Sequence, residues 1–270
     1  MAKALGQLPN APLIYVLAQI RFTHVPRMDK RSEDFHEKVF DTYPKAEKER
    51  IEQVTFKDGQ PSVSDSIQRW QLSNEPRTTG IILESGMLVF HTTDYKTSEI
   101  FLSELQDILN VFVEVLPEKG VGVSVSRLGL RYVDLLLEEE GLSVDQQVIK
   151  TLRLPQIPAE IGAPKRMDQV VTYTTPTEST LLVRHRQSTT PDVLPGDIFP
   201  NLLKPAPRLA RERPENTIVG LLDYDHYIEQ EQPFDHAAIT TGFHTLHDTS
   251  SAIFKATTTK DALATWEKEI

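Results

Sequence analysis

Two pairs of arginines fall on single faces of predicted strands, a pattern that could bind an anion. Arg127 and Arg131 lie four residues apart, so they share one face of a strand, and Gly129 lies between them. The absent side chain at Gly129 would let an anion approach the backbone while two guanidiniums hold it. Arg184 and Arg186 likewise share one face of a later predicted strand. These residues define a predicted anion site.

Arg21, in the first predicted strand, is the fifth candidate of this anion site. If these strands belong to one sheet, their arginines line a basic concavity suited to a phosphorylated ligand. The commoner role of such arginines is to bridge to Glu or Asp on a neighbouring strand, and the sequence favours that role. Triphosphate tunnel enzymes are built around arginine-lined strands, but their N-terminal acid pair for a metal is missing beside Arg21.

Two aspartates and two histidines form a candidate site for a divalent metal. Asp223 and Asp225 share one face of a predicted strand, and His244 and His247 are three residues apart on the helix that follows. Their spacing matches no familiar metal motif. Strand aspartates more often serve as caps or turn ligands, and the sequence favours that structural role over metal binding. A divalent metal is therefore an option, and no other cofactor is expected.

Composition narrows the classes of function. The chain has 270 residues, a formal net charge of −10 and no cysteine, which excludes a disulfide scaffold, a thiolate zinc site and a cysteine nucleophile. The negative charge disfavours nucleic acid as a partner, since phosphates need a basic surface. We see neither a signal peptide nor an apolar run that could span a membrane, and therefore expect a cytoplasmic protein. Walker loops, dinucleotide fingerprints and nucleophile elbows are also absent from the sequence.

The hydrophobic pattern predicts an α+β fold with a mainly antiparallel sheet packed on helices. The apolar residues between 10 and 22 predict a strand of the kind found in the middle of a sheet. Two apolar runs flank Ser85-Gly86, which indicates a hairpin. Apolar residues between 101 and 115 recur every three or four positions and predict a long helix, and residues 123–137 predict a long strand. The helices are grouped rather than alternating with single strands, as in α+β proteins.

Further signals predict where elements and lobes begin. Ser32, Asp94, Asp235 and Thr259 are predicted helix N-caps, and Ser143 with Gln146 matches a capping box. Residues 45–53 are charged and predict a solvated helix, and Pro117 is predicted to end the long helix. The run Glu138–Gly141 predicts a boundary between two similar α+β lobes, 1–141 and 142–270. The second lobe contains a Pro-rich insertion, 190–214, which is long enough to be functional or mobile.

Several short motifs in order along the chain resemble a sporadically distributed, functionally uncharacterised family of bacterial proteins of about this length. They comprise residues 8–13 running into 19–22, residues 127–132, residues 221–225, and a terminal helix from Phe243 to Phe254 followed by Trp266. The resemblance implies a soluble bacterial protein that is often found in variable gene neighbourhoods. It implies no established activity and supplies no catalytic residue.

These observations favour a non-enzymatic binding protein whose partner is another protein or an anionic small molecule. A role in a bacterial defence, toxin–immunity or regulatory locus follows from the resemblance alone. The alternative is a phosphoester or nucleotide-processing enzyme that uses the arginine-lined strands and a metal. A homodimer is the default oligomer, because symmetric homo-oligomers are common.

Overall fold

A computed structural model describes residues 8–57, 60–116, 122–155, 157–158, 160–162, 164–189, 194–198 and 202–268, with the backbone alone described at 52–57 and 60–65. Within these ranges the chain forms ten strands and five α-helices, which confirms the α+β prediction. The strands are β1 (Leu13–Phe22), β2 (Lys45–Lys57), β3 (Gln60–Ser73), β4 (Thr79–Glu84), β5 (Met87–Thr92), β6 (Ser124–Leu136), β7 (Arg166–Thr174), β8 (Thr180–Ser188), β9 (Val219–Ile228) and β10 (Gln232–Pro233). The helices are α1 (Met28–Val39), α2 (Ser98–Val115), α3 (Val144–Gln147), α4 (His236–Thr257) and α5 (Lys260–Trp266).

One sheet contains all the described strands, in the order β2-β3-β4-β5-β1-β6-β9-β8-β7, with β10 paired to β6. Every neighbouring pair is antiparallel. β1 lies in the middle, as its apolar sequence predicted, and pairs with β5 on one side and β6 on the other. Ala18 faces Leu130 across the β1–β6 pair, so Gln19 faces Gly129 on the opposite face.

The two faces of the sheet differ because side chains alternate along each strand. One face is covered by α1, α2 and α4, and its apolar side chains form the main core with those helices. That core includes Val16, Ala18, Ile20, Leu128, Leu130, Phe112 and Phe243. No helix in the described ranges has the length and apolar character needed to cross a membrane.

Most element boundaries agree with the sequence. The β4–β5 hairpin turns at Ser85-Gly86, and the capping box of Ser143 and Gln146 is present. The side chains of Asp235 and Thr259 accept hydrogen bonds from backbone N–H groups in the first turns of α4 and α5. Pro117 lies outside the described residues.

Three local predictions were wrong. Residues 45–53 belong to strand β2 rather than a helix, because all thirteen residues of β2 pair with β3. Ser32 lies inside α1, which begins at Met28. The N-cap of α2 is Thr97 rather than Asp94, since the Thr97 hydroxyl accepts a hydrogen bond from the backbone N–H of Ile100.

The boundary predicted at residue 141 follows directly after the long strand β6. Strands from both sides of it pair within the one sheet, through β6 and β9. The described parts of the Pro-rich segment, 194–198 and 202–214, lie at one end of the other sheet face, on which none of the described α-helices packs; we call it the helix-free face. Ile198, Leu203 and Ala206 are buried there against Tyr15, Val133 and Leu221.

Candidate functional site

The helix-free face of the sheet contains a polar cavity of about 400 Å³. Its floor is formed by the central strands, and residues Asp197 and Ile198 of the Pro-rich segment contribute to its wall. The lining is rich in charged and polar side chains, namely Tyr15, Gln19, Arg21, Glu49, Arg69, Gln71, Arg127, Arg131, Asp197 and Asp225. Four arginines and three acidic residues line the cavity, so the lining has a small positive excess.

Arg127 and Gly129 of β6 lie side by side on the cavity floor. The Arg127 guanidinium stacks 3.9 Å from the centroid of the Tyr227 ring, and its distances to Asp225 and Glu229 are 3.7 and 3.6 Å. Its Nε is buried and has no hydrogen-bond partner among the described residues. Arg127 is thus held in place by an aromatic ring and retains an unused N–H group.

Arg21 lies directly opposite Arg127 in the β1–β6 pair. Its Nε donates a hydrogen bond to Oε1 of Gln19 at 3.1 Å, and within the described chain it forms no ion pair. Gln19 is in turn opposite Gly129. Two guanidiniums from adjacent strands therefore line one cavity beside Gly129, which is buried and adds no side chain there.

Arg131 is the most buried cation of the site and belongs to a charge network. Its Nε and Nη2 donate to the two carboxylate oxygens of Asp223 at 2.7 and 2.8 Å, and its Nη1 donates to Asp197 at 2.5 Å. Burial lowers the pKa of Arg131, but its hydrogen bonds with Asp223 and Asp197 outweigh this effect and hold the pKa above its ordinary value. The guanidinium is fixed and neutralised, which suits it to support the site rather than to bind a ligand.

Arg184 and Arg186 lie on the same face of the sheet but do not line the cavity. Arg184 donates to Asp223 at 2.7 Å, and Arg186 pairs with Asp168 of the outer strand β7. The structure therefore brings three of the five predicted arginines, Arg21, Arg127 and Arg131, to one cavity. The other two form bridges to neighbouring strands.

Asp225 is the acidic residue closest to the Arg127 guanidinium in the cavity. Burial raises the pKa of Asp225, and the charges of Arg131 and Arg127 only partly oppose this effect.

Elsewhere in the cavity lining, Tyr15 contacts a buried histidine, and Tyr15 Oη and His91 Nδ1 are 2.8 Å apart. Burial lowers the pKa of His91 to about 3, so this imidazole is neutral at physiological pH.

The four residues of the predicted metal site are divided between the two faces of the sheet. Asp223 and Asp225 point to the helix-free face, where Asp223 is committed to Arg131 and Arg184. His244 is exposed on α4, which covers the other face, and Nδ1 of His247 is 2.8 Å from the Tyr132 hydroxyl. No group of three or more candidate metal ligands occurs in the described ranges.

Sequence reasoning missed several residues of the cavity. Arg69 and Gln71 alternate with apolar residues in a segment that the sequence predicts to be a strand, so their position on one strand face could be predicted. The strands that would lie next to that face could not. Asp197 comes from the Pro-rich segment, where no periodicity indicated a contact with Arg131. Nothing in the local sequence indicated that these two segments line the same cavity as β6.

Comparison with models of protein families found no match. Comparison with curated protein sequences found no match either.

Proposed function

We propose that the protein is a non-enzymatic binding protein whose ligand is a small anion, a phosphate ester or carboxylate, held in the cavity of the helix-free sheet face. The observation that carries this proposal is the pairing of Arg21 and Arg127 across adjacent strands above Gly129. Guanidinium groups bind phosphate and carboxylate through parallel N–H donors.

The ion pairs within the cavity divide its arginines into two groups. Arg131 is saturated by Asp223 and Asp197, and Arg69 is 2.6 Å from Glu84. Arg21 has no acidic partner in the described chain, and Arg127 has only distant ones. A ligand anion would therefore be held by these two residues, while Arg131 keeps the neighbouring acids away from them.

Binding can be tested by calorimetry and thermal unfolding with pyrophosphate, nucleoside monophosphates and citrate as probes. We expect at least one probe to bind the native protein and raise its Tm. The double variant Arg21→Gln, Arg127→Gln removes both unsaturated guanidiniums and should lower the affinity at least tenfold, since each charged hydrogen bond contributes about 1.5 kcal/mol or more.

Arg213→Gln is the matched control, because Arg213 is an exposed arginine outside the cavity. It should leave the affinity unchanged. Equal binding by the double variant, or no binding of any probe by the native protein, would overturn the proposal.

The alternative function, a phosphoester or nucleotide-processing enzyme, has one observation in its favour. Asp225 is a carboxyl group of raised pKa within 3.7 Å of Arg127, as a general acid beside an anion would be. Turnover of nucleotides or phosphoesters with magnesium or manganese, abolished by Asp225→Asn, would replace the binding proposal with this one.

The cellular setting is proposed from the sequence alone. We place the protein in a bacterial cytoplasm, in a defence, toxin–immunity or regulatory locus, and retain a protein partner and a homodimer as expectations. Recovery of only the protein itself in pull-downs from its host would count against a partner protein.

A further inference from the structure

A second, smaller cavity lies on the other face of the sheet, under α4, and has a buried carboxylate in its lining. Asp134 of β6 is 3% exposed, and neither of its carboxylate oxygens has a hydrogen-bond partner in the described chain. The cavity encloses about 50 Å³. Since a single water needs about 10–15 Å³ by this measure, it admits only an ion of a few non-hydrogen atoms.

The rest of the lining combines four aromatic side chains with Leu8, Ala11, Leu13, His247, Ser250 and Ser251. The four aromatic residues are Tyr95, Tyr132, Tyr224 and Phe254. The Tyr224 hydroxyl is 2.7 Å from the Thr257 hydroxyl, and Tyr132 is paired with His247, so neither hydroxyl is free for Asp134. The faces of aromatic rings attract cations, and a carboxylate among them strengthens that attraction.

Among the described residues, none contributes a positive charge to the lining of this cavity. That lining contains neither lysine nor arginine, and burial lowers the pKa of His247, which disfavours the protonated imidazole. Arg208 acts on Asp134 only at a distance, since its guanidinium bonds to the Leu135 carbonyl and pairs with Glu139. The Tyr95 hydroxyl approaches Tyr132 and Ser98 without a hydrogen bond of good geometry.

We propose that this cavity is a binding site for a small organic ammonium ion, held by the Asp134 carboxylate and enclosed by the surrounding tyrosines and Phe254. An ammonium group supplies both the charge and the N–H donors that the carboxylate lacks. The site is distinct from the anion cavity, because Asp134 and Arg131 point to opposite faces of the sheet.

Methylammonium chloride is a suitable probe, with proton NMR as the readout. Ring currents from the aromatic walls should shift the methyl resonance of the bound ion upfield in a saturable manner. Asp134→Asn, which preserves the shape of the side chain, should abolish the shift. Asp41→Asn changes an exposed aspartate on another part of the surface and should leave the shift unchanged.

A pH series on the native protein gives a second test that does not depend on the folding of a variant. The described titratable groups that share the cavity lining with Asp134 are Tyr95, Tyr132, Tyr224 and His247, and the charges of Arg208 and Asp223 act on Asp134 from outside that lining. Burial raises the pKa of Asp134 to about 8. Because protonation removes the carboxylate charge, affinity should fall roughly 100-fold between pH 9 and pH 6.

Three results would overturn the proposal. One is a methyl resonance that does not shift with the native protein, as expected if the cavity holds water only. Another is a shift that persists in Asp134→Asn. The third is equal competition by potassium at the same concentration, which would assign the cavity to a metal cation instead.

Discussion

At the scale of single residues, Asp134 couples the stability of the fold to pH. Its pKa is about 8 in the folded protein because of burial, with Arg208 lowering it and Asp223 raising it, against an ordinary value of 3.8. The folded state therefore favours the protonated form. Below pH 4 Asp134 is protonated in both the folded and the unfolded protein, so it does not lower the free energy of unfolding. As pH rises from 4 to 8, Asp134 loses its proton in the unfolded protein only, and the free energy of unfolding falls.

Asp134→Asn should remove this loss of stability. The variant should match the native protein near pH 4 and exceed it increasingly as pH rises, by at most about 1.4 kcal/mol per pH unit up to pH 8. Urea unfolding at several pH values measures this difference, in which titrations common to both proteins, such as that of His91, cancel. A difference independent of pH would show that Asp134 ionises normally in the fold.

Asp223 is the residue on which the charge network depends, since it accepts hydrogen bonds from both Arg131 and Arg184. Asp223→Ala leaves the buried Arg131 with Asp197 alone, and we expect the free energy of unfolding to fall by about 3 kcal/mol. Asp168→Ala removes one of the partners of Arg186 at a more exposed position and should cost about 1 kcal/mol or less. Similar losses in the two variants, measured by urea unfolding, would contradict this view of the network.

The sequence predicted which residues share a strand face but not which of them meet. Arg127 and Arg131 were placed correctly on one face because alternation in a strand is local. Their different roles depend on Asp223 and Asp197, which are far away in sequence. Asp134 could have been noticed as an acid within an apolar strand, but its aromatic surroundings come from several other segments of the chain.

At the scale of elements, two glycines of the sheet provide a matched comparison. A Cβ at Gly80 of β4 would lie 2.6 Å from the backbone oxygen of Leu72 on β3, whereas a Cβ at Gly129 would meet its neighbours at 3.7–3.8 Å. Gly80→Ala should therefore destabilise the protein by about 2 kcal/mol, because a strand backbone must move.

Gly129→Ala should be neutral or stabilising by about 0.5 kcal/mol, since glycine inside a strand costs conformational entropy. Thermal unfolding of both variants tests the pair. A loss of stability in Gly129→Ala as large as that in Gly80→Ala would show that the cavity floor does not tolerate a side chain.

β2 shows where element prediction failed. Lys, Glu and Arg between residues 45 and 53 favour helices in isolation, and no apolar alternation opposed that preference. The segment is a strand because it pairs with β3 along its length. Its charges suit the outer position that it occupies in the sheet, where they discourage pairing with other chains. Long, periodic segments such as α2 and β6 were predicted correctly because their pattern requires no partner to be recognised.

At the scale of the whole molecule, the shared sheet predicts that the two halves of the chain unfold together. β6 pairs with β1 on one side and with β9 on the other, so a cut after residue 141 would expose long strand edges on both fragments. We expect residues 1–141 and 142–270, expressed separately, to lack native near-ultraviolet circular dichroism, and the intact chain to unfold in one transition. A folded fragment 142–270 would establish an independent lobe.

The central position of β1 has a consequence for synthesis of the protein. β1 leaves the ribosome before β5 and β6, and the nearest residue of β6 follows it by roughly one hundred positions. At typical rates of about 5–20 residues per second, this apolar strand waits on the order of 5–20 s for its second partner. Until β5 emerges, nascent chains expose both edges of β1, and one edge stays unpaired until β6 follows. We therefore expect a ribosome-associated chaperone to bind β1 in preference to other segments.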